Sequence, residues 1–318
     1  MKNSTITIQI IGIFITLITP LKTYGTPLNI LDSGYTKKNE KVFLLKNSKE
    51  YQFISFKTPL RVNTDGSPLS YHPQDPYGQS KALNNICNAI AVRKNGSSSN
   101  LCLNKSTFSE AIQIFESWRD SNYSVIPINY TINWKNVLVV TPKNKPCIFQ
   151  KGEYAGYFAS KTHLTNTKIP VKGECSINEQ INSAEIPAIV LMGGKNILTK
   201  FNAKVGDLGV AYSPQNNMIV PFIINDSGPP DNLGEGSVAL NMKLLGKTNV
   251  PKNKKETYSI SIDKNILIVI FPNTKDFKLN KTIPYTSQNI ESRVNSWLTE
   301  AGYTSSTNFI NSIKETLE

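Results

Sequence analysis

From Tyr51 onward the chain breaks into short apolar runs separated by Pro, Gly and Asn. They are Tyr51–Phe56, Val137–Thr141, Ile186–Met192, Leu208–Tyr212, Met218–Asn225 and Ile266–Phe271. Each is rich in Ile, Val, Phe or Tyr, the composition of strands bounded by turns. Val137–Val140 and Ile266–Phe271 are apolar throughout, which predicts strands covered on both faces. Helical spacing is rarer. Thr107 and Glu110 form a capping-box pattern ahead of Phe108, Ala111, Ile112, Phe115 and Trp118. A second helix is predicted from Ser237 to Leu245, ending at Gly246. A third places Ile290, Val294, Trp297 and Leu298 on one face before Gly302, and a fourth runs from Ser306 to Leu317. Strands outnumber helices and do not alternate with them. The predicted class is α+β, mostly β, with a mixed or barrel-like sheet and a few short helices.

The polar, lysine-rich stretch 26–50 carries no such run and reads as a loosely held lead-in, with one folded unit expected over 51–318. Before it, Lys2 precedes an apolar centre at Ile8–Ile18, and Thr23-Tyr24-Gly25 offers small residues at a cleavage site. These are the parts of a secretory signal over residues 1–25, so the mature protein is expected outside the cytoplasm, extracellular or periplasmic, and off the membrane. Removing the leader takes two lysines and no acids, lowering the formal charge from +12 to +10.

Export changes how the four cysteines are read. An even number in an oxidising compartment implies two disulfides, and Cys87–Cys102 with Cys147–Cys175 are favoured because both close short loops. No CxxC spacing occurs, which argues against a zinc site.

GxSxG, P-loop and GxGxxG motifs are absent, which excludes the common serine-hydrolase, nucleotide and dinucleotide signatures. Asn63-Thr64-Asp65-Gly66 looks like the middle of a calcium loop, but Arg61 and His72 occupy the first and closing ligand positions, so it is no EF-hand. The only two histidines, His72 and His163, lie far apart. No metal, cofactor or nucleic-acid partner is expected, and the chain is expected to be a monomer.

The most informative stretch is Val205–Gly246. Met218–Ile224 runs into Asn225-Asp226-Ser227-Gly228-Pro229-Pro230, and a tight loop leads through Gly234-Glu235-Gly236 into a helix. Asp226 is thereby predicted at a strand end and Glu235 at the opening of a helix, nine residues apart across a Gly/Pro turn. Two carboxylates aimed at one cleft are the minimal equipment for glycoside hydrolysis. The same residues also suit an ordinary turn and a charge favourable at a helix N-terminus.

Several segments, in order, resemble the glycoside hydrolase family 75 chitosanases. They are Asp65-Gly66-Ser67-Pro68 with Tyr71-His72-Pro73 and Asp75, then Gly156–Thr162 (GYFASKT), Ile186–Leu191, Val205–Gly209, and above all Phe222–Leu240 (FIINDSGPPDNLGEGSVAL). The resemblance spans residues 53–302. It implies a secreted endo-acting enzyme that cleaves β-1,4 glucosamine linkages of chitosan with inversion, Glu235 being the acid and Asp226 the base. Asp65, Asp75, Asp207 and His72 become candidates for substrate binding or orientation. The sequence departs from the family at Asn225, where glycine is more usual, in its first 50 residues, and in its strong basicity. A basic body repels a cationic polymer at long range, so chitosan binding requires the matching carboxylates, Asp231 among them, to line one acidic groove. The rival readings are hydrolysis of another aminosugar polymer such as peptidoglycan, and a non-catalytic glycan- or wall-binding protein.

Overall fold

The computed structural model describes residues 26–166, 175 and 180–317, so the leader expected over residues 1–25 lies outside the described residues. The described residues form ten strands. In chain order they are β1 (Leu28–Tyr35), β2 (Lys41–Asn47), β3 (Gln52–Asn63), β4 (Ile90–Lys94), β5 (Tyr130–Trp134), β6 (Ala188–Leu191), β7 (Leu208–Ser213), β8 (Met218–Ser227), β9 (Glu235–Ser237) and β10 (Ile262–Phe271). Eight of them make one sheet in the order β1-β2-β3-β10-β7-β8-β6-β9, and a further β3–β9 pairing closes it into a barrel. β3–β9 and β6–β8 are parallel and the other pairs antiparallel, so the expected mostly-β, mixed, barrel-like architecture is the one observed.

The continuous apolar run in β10 has a direct packing cause. Ile266, Ile268 and Ile270 join Ile54, Phe222, Ile224 and Ile189 in a cluster dominated by strand side chains, as befits the inside of a closed sheet. Leu267, Val269 and Phe271 point the other way, beneath two helices, α5 (Ser287–Glu300) and α6 (Ser306–Leu317). Both faces of β10 are thus covered. Trp297 of α5 stacks on Phe271 with ring centroids 4.3 Å apart. The shorter helices are α1 (Phe108–Asp120), α2 (Ile197–Lys200), α3 (Val238–Leu244) and α4 (Lys254–Tyr258).

Residues 71–158 supply a second core. α1, the antiparallel β4–β5 pair, Trp118, Trp134, Phe158 and Tyr71 pack together, with the Cys87–Cys102 disulfide inside the cluster. The second disulfide is Cys147–Cys175, so both expected pairings form.

Three sequence expectations need correction. The stretch 26–50 is no loose lead-in: it supplies β1 and β2, with Val42 and Leu45 fully buried. Its polar look arises because β1 lies at the sheet edge and presents most of its residues, Ile30, Leu31 and Tyr35 included, to solvent. Val137–Thr141 is not a strand but makes isolated bridges, Leu138 to Ser160 and Val140 to Pro146, and Pro142 directly after it removes a ladder donor. The Thr107 hydroxyl turns away from α1 and donates to the Leu101 carbonyl at 2.8 Å, so no capping box forms.

Candidate active site

A single row of side chains crosses four strands on one face of the sheet. Arg61 of β3 is in register with Glu235 of β9, Glu235 with Val190 of β6, and Val190 with Asp226 of β8. Residues paired across a ladder point to the same face, so Glu235 and Asp226 look out side by side with Val190 between them. Two strand spacings put their Cα atoms roughly 10 Å apart.

A bulge is what aims Asp226. In the β6–β8 ladder Ile189 pairs with Ile224, but Val190 pairs with Asp226, leaving Asn225 unopposed. Without that extra residue, strand alternation would turn Asp226 toward the face of Ile224. Asn225 is buried, and its Nδ2 donates to Ser183 Oγ at 3.1 Å. The position where the sequence departs from the family pattern is therefore the bulge residue itself.

Glu235 is held from three sides. Asn63 Nδ2 donates to Oε2 at 3.1 Å, Asn232 Nδ2 donates to Oε1 at 3.2 Å, and the Arg61 guanidinium stands 3.7 Å away. It does not sit in a helix. The N-cap of α3 is Ser237, so Glu235 lies two residues before it, in a strand, and the expected placement in the helix dipole is corrected. Gly234 makes the approach feasible: its φ is +78°, and a Cβ there would lie 2.1 Å from the Pro59 carbonyl oxygen.

Asp226 accepts the backbone N–H of Ser227 at 2.8 Å and of His163 at 3.2 Å, and its Oδ1 also meets His163 Nδ1. The His163 side chain is 51% exposed, against 11% for Asp226, so the imidazole is the solvent-side half of this contact. His163 was not among the residues expected at the site. The available signal was its position directly after the family-like segment Gly156–Thr162.

Asp65 joins the pair. It follows β3, and its Oδ1 accepts the Tyr71 hydroxyl at 2.6 Å. Burial pushes its carboxyl up to about 7; the Tyr71 bond opposes this, and the charges of Asp226 and Glu235 add to it. Lys135 lies close enough to favour the ionised form, and its own pKa is lowered, chiefly by burial. Three carboxyl groups and one amine thus share the junction of barrel and second core.

No family model matches the chain, and neither does any curated protein.

The remaining expected site residues make other contacts. Asp207 is fully buried and accepts backbone N–H groups from Lys204, Thr274 and Lys275 at 2.8 to 3.0 Å, tying the start of β7 to the loop after β10. It cannot touch a polymer. Asp75 accepts four backbone N–H groups, from Gln79, Ser80, Lys81 and Ala82. Although burial works against its charge, these bonds hold its pKa below the ordinary value. His72 packs edge-on against Tyr157, and its Nδ1 accepts the Gln74 N–H. Asp231 pairs with Lys37 at 2.9 Å. Of the six carboxylates expected to line one acidic groove, Asp207 is excluded by its burial, and Asp65, Asp226 and Glu235 are the three whose charges act on one another, with Arg61, Lys135 and His163 beside them.

Proposed function

We propose that this chain is a secreted, endo-acting glycoside hydrolase for a β-1,4-linked aminosugar polymer, with chitosan the first substrate to test, working by inversion. The observation that carries the reading is the shared register of Asp226 and Glu235 with Val190. It sets two carboxylates on one face, two strands apart, the arrangement a two-carboxylate hydrolysis needs. The two disulfides fit an exported protein, and two of the segments that resemble family 75 chitosanases, Ile186–Leu191 and Phe222–Leu240, supply Val190, Asp226 and Glu235 of this row.

Glu235 protonates the glycosidic oxygen as the bond from the anomeric carbon to that oxygen breaks. Asp226 takes a proton from a water that attacks the anomeric carbon from the opposite face, leaving a product of inverted configuration. Asn63 and Asn232 orient the Glu235 carboxyl, and Arg61 stabilises its anion once the proton has left. His163 orients Asp226 through the Oδ1 contact.

The test is to incubate the protein with partially acetylated chitosan, chitin and purified cell-wall glycan in parallel, following new reducing ends by proton NMR. We expect oligosaccharides whose first-formed reducing ends are α. A β product would replace inversion by a covalent mechanism, and no release from any of the three would overturn the hydrolase reading.

A further inference from the structure

A cavity of about 330 Å³ opens beside the row, on the Asp226 side. His163, Leu164, Asn166, Lys275, Lys281 and Tyr285 are among its lining residues. It is fastened to the catalytic strand at the bulge. The Leu164 N–H donates to the Asn225 carbonyl at 2.9 Å, and the His163 N–H to Asp226 Oδ1 at 3.2 Å. The opposite wall is tied across by the Tyr285 N–H, which donates to Asn166 Oδ1 at 2.9 Å. His163 both lines the cavity and contacts Asp226 Oδ1, and so links the two.

The charged lining is two lysines, Lys275 and Lys281, against one carboxylate, Asp276. Lys281 is only partly balanced by Asp276, at 3.4 Å, and both side chains are about half exposed or more. Lys275 has no ion pair with any described residue. Its stem is nevertheless confined. Gly206 has φ +100°, and a Cβ there would lie 2.5 Å from Lys275 Cγ, so the lysine packs where a side chain at 206 would stand. Tyr285 adds a flat, partly buried ring. A glucosamine ammonium group would be repelled here, whereas a carboxylate would meet one or two ammonium groups.

We propose that this cavity is the subsite for a carboxylate-bearing sugar of the substrate polymer, next to the linkage that Asp226 and Glu235 cleave. This rests on the hydrolase reading of those two residues, though not on chitosan as the polymer. It also gives the basic body a role, because a formal charge of +12, or +10 without the expected leader, attracts an anionic chain over the range at which it would repel chitosan. A uronic acid and an aminosugar carrying a lactyl ether both present the required carboxylate.

Binding of single sugars tests the subsite without any need for hydrolysis. The full chain is titrated with glucuronic acid, N-acetylmuramic acid, N-acetylglucosamine and glucosamine, followed by NMR. We expect at least one acid to bind more tightly than both sugars lacking a carboxylate. We expect Lys275→Ala with Lys281→Ala to weaken the acid by about tenfold while leaving the uncharged sugar unchanged. Preference for the lactyl ether or for the uronate identifies the source of the carboxylate, and either supports the subsite. Acids that bind no better than N-acetylglucosamine, or a double variant that binds them as the parent does, would overturn it. Acid binding with no polymer hydrolysis by the wild type would keep the subsite and discard the hydrolase.

Discussion

Asp226 and Glu235 are both in register with Val190, one from each side, across the parallel β6–β8 and antiparallel β6–β9 ladders. Their spacing is therefore a property of the barrel's hydrogen bonding and not of the loop that joins them. Glu235→Gln and Asp226→Asn each keep the shape of the side chain and one acceptor oxygen while removing one proton-transfer function. We expect each to lower kcat by about 10²- to 10⁴-fold, with thermal unfolding near that of the wild type. Near-normal turnover in either purified variant would reassign the pair.

Asp65 should reveal itself through pH. Its carboxyl titrates near 7 in the folded protein, raised chiefly by burial, against 3.8 when unperturbed. Between these values the unfolded chain releases the proton that the folded one retains, so the contribution of Asp65 to stability falls as pH rises from about 4 to 7 and levels off above that. Asp65→Asn should therefore show a smaller loss of Tm than the wild type across that window. If Asp65 must remain protonated beside Asp226 and Glu235, kcat/KM of the wild type should fall as pH rises through about 7, and that of the variant should not. Parallel Tm curves for the two proteins would show that Asp65 titrates normally.

The barrel was legible where strands are covered on both faces, as in β10, because continuous Ile, Leu and Val have few other uses in a run of that length. It was illegible at β1 and β2, whose exposed residues and lysines mask the buried Val42 and Leu45, and at β9, which is too short to carry a pattern. The Asp226–Glu235 pairing was visible through motif resemblance, whereas the reason for it, a bulge at Asn225, depends on pairing register that no single strand encodes. Asp207 and Asp75 were read as site residues because carboxylates in matching segments look alike whether they serve a ligand or a loop. Only their backbone partners tell the two uses apart.

Asp207 gives that distinction a measurement. Asp207→Ala removes the acceptor for three buried or half-buried N–H groups, and leaving them unsatisfied should cost about 3 kcal/mol or more of stability. KM for any polymer should not change in the protein that remains folded, since the carboxylate is fully buried. A raised KM with unchanged Tm would restore Asp207 to substrate binding.

The loop that aims Glu235 should separate positioning from stability. Asn232 lies in that loop, donates to Glu235 Oε1 at 3.2 Å and accepts from Lys38 Nζ at 3.3 Å, so the tip of the β1–β2 hairpin reaches Glu235 through one amide. Asn232→Ala deletes two side-chain hydrogen bonds, a part-buried one to Glu235 and an exposed one from Lys38. We expect it to lower kcat by roughly fivefold, equivalent to about 1 kcal/mol, with little change in Tm. Gly234→Ala acts on the backbone instead. At φ +78°, with the Pro59 carbonyl oxygen 2.1 Å from the new Cβ, the segment must move. That should cost about 1–3 kcal/mol of stability and displace Glu235 from its place beside Arg61, so that rate and Tm fall together. If Gly234→Ala lowered Tm while kcat stayed at the wild-type level, Glu235 would not depend on this loop for its position, and its assignment as the acid would have to be revisited.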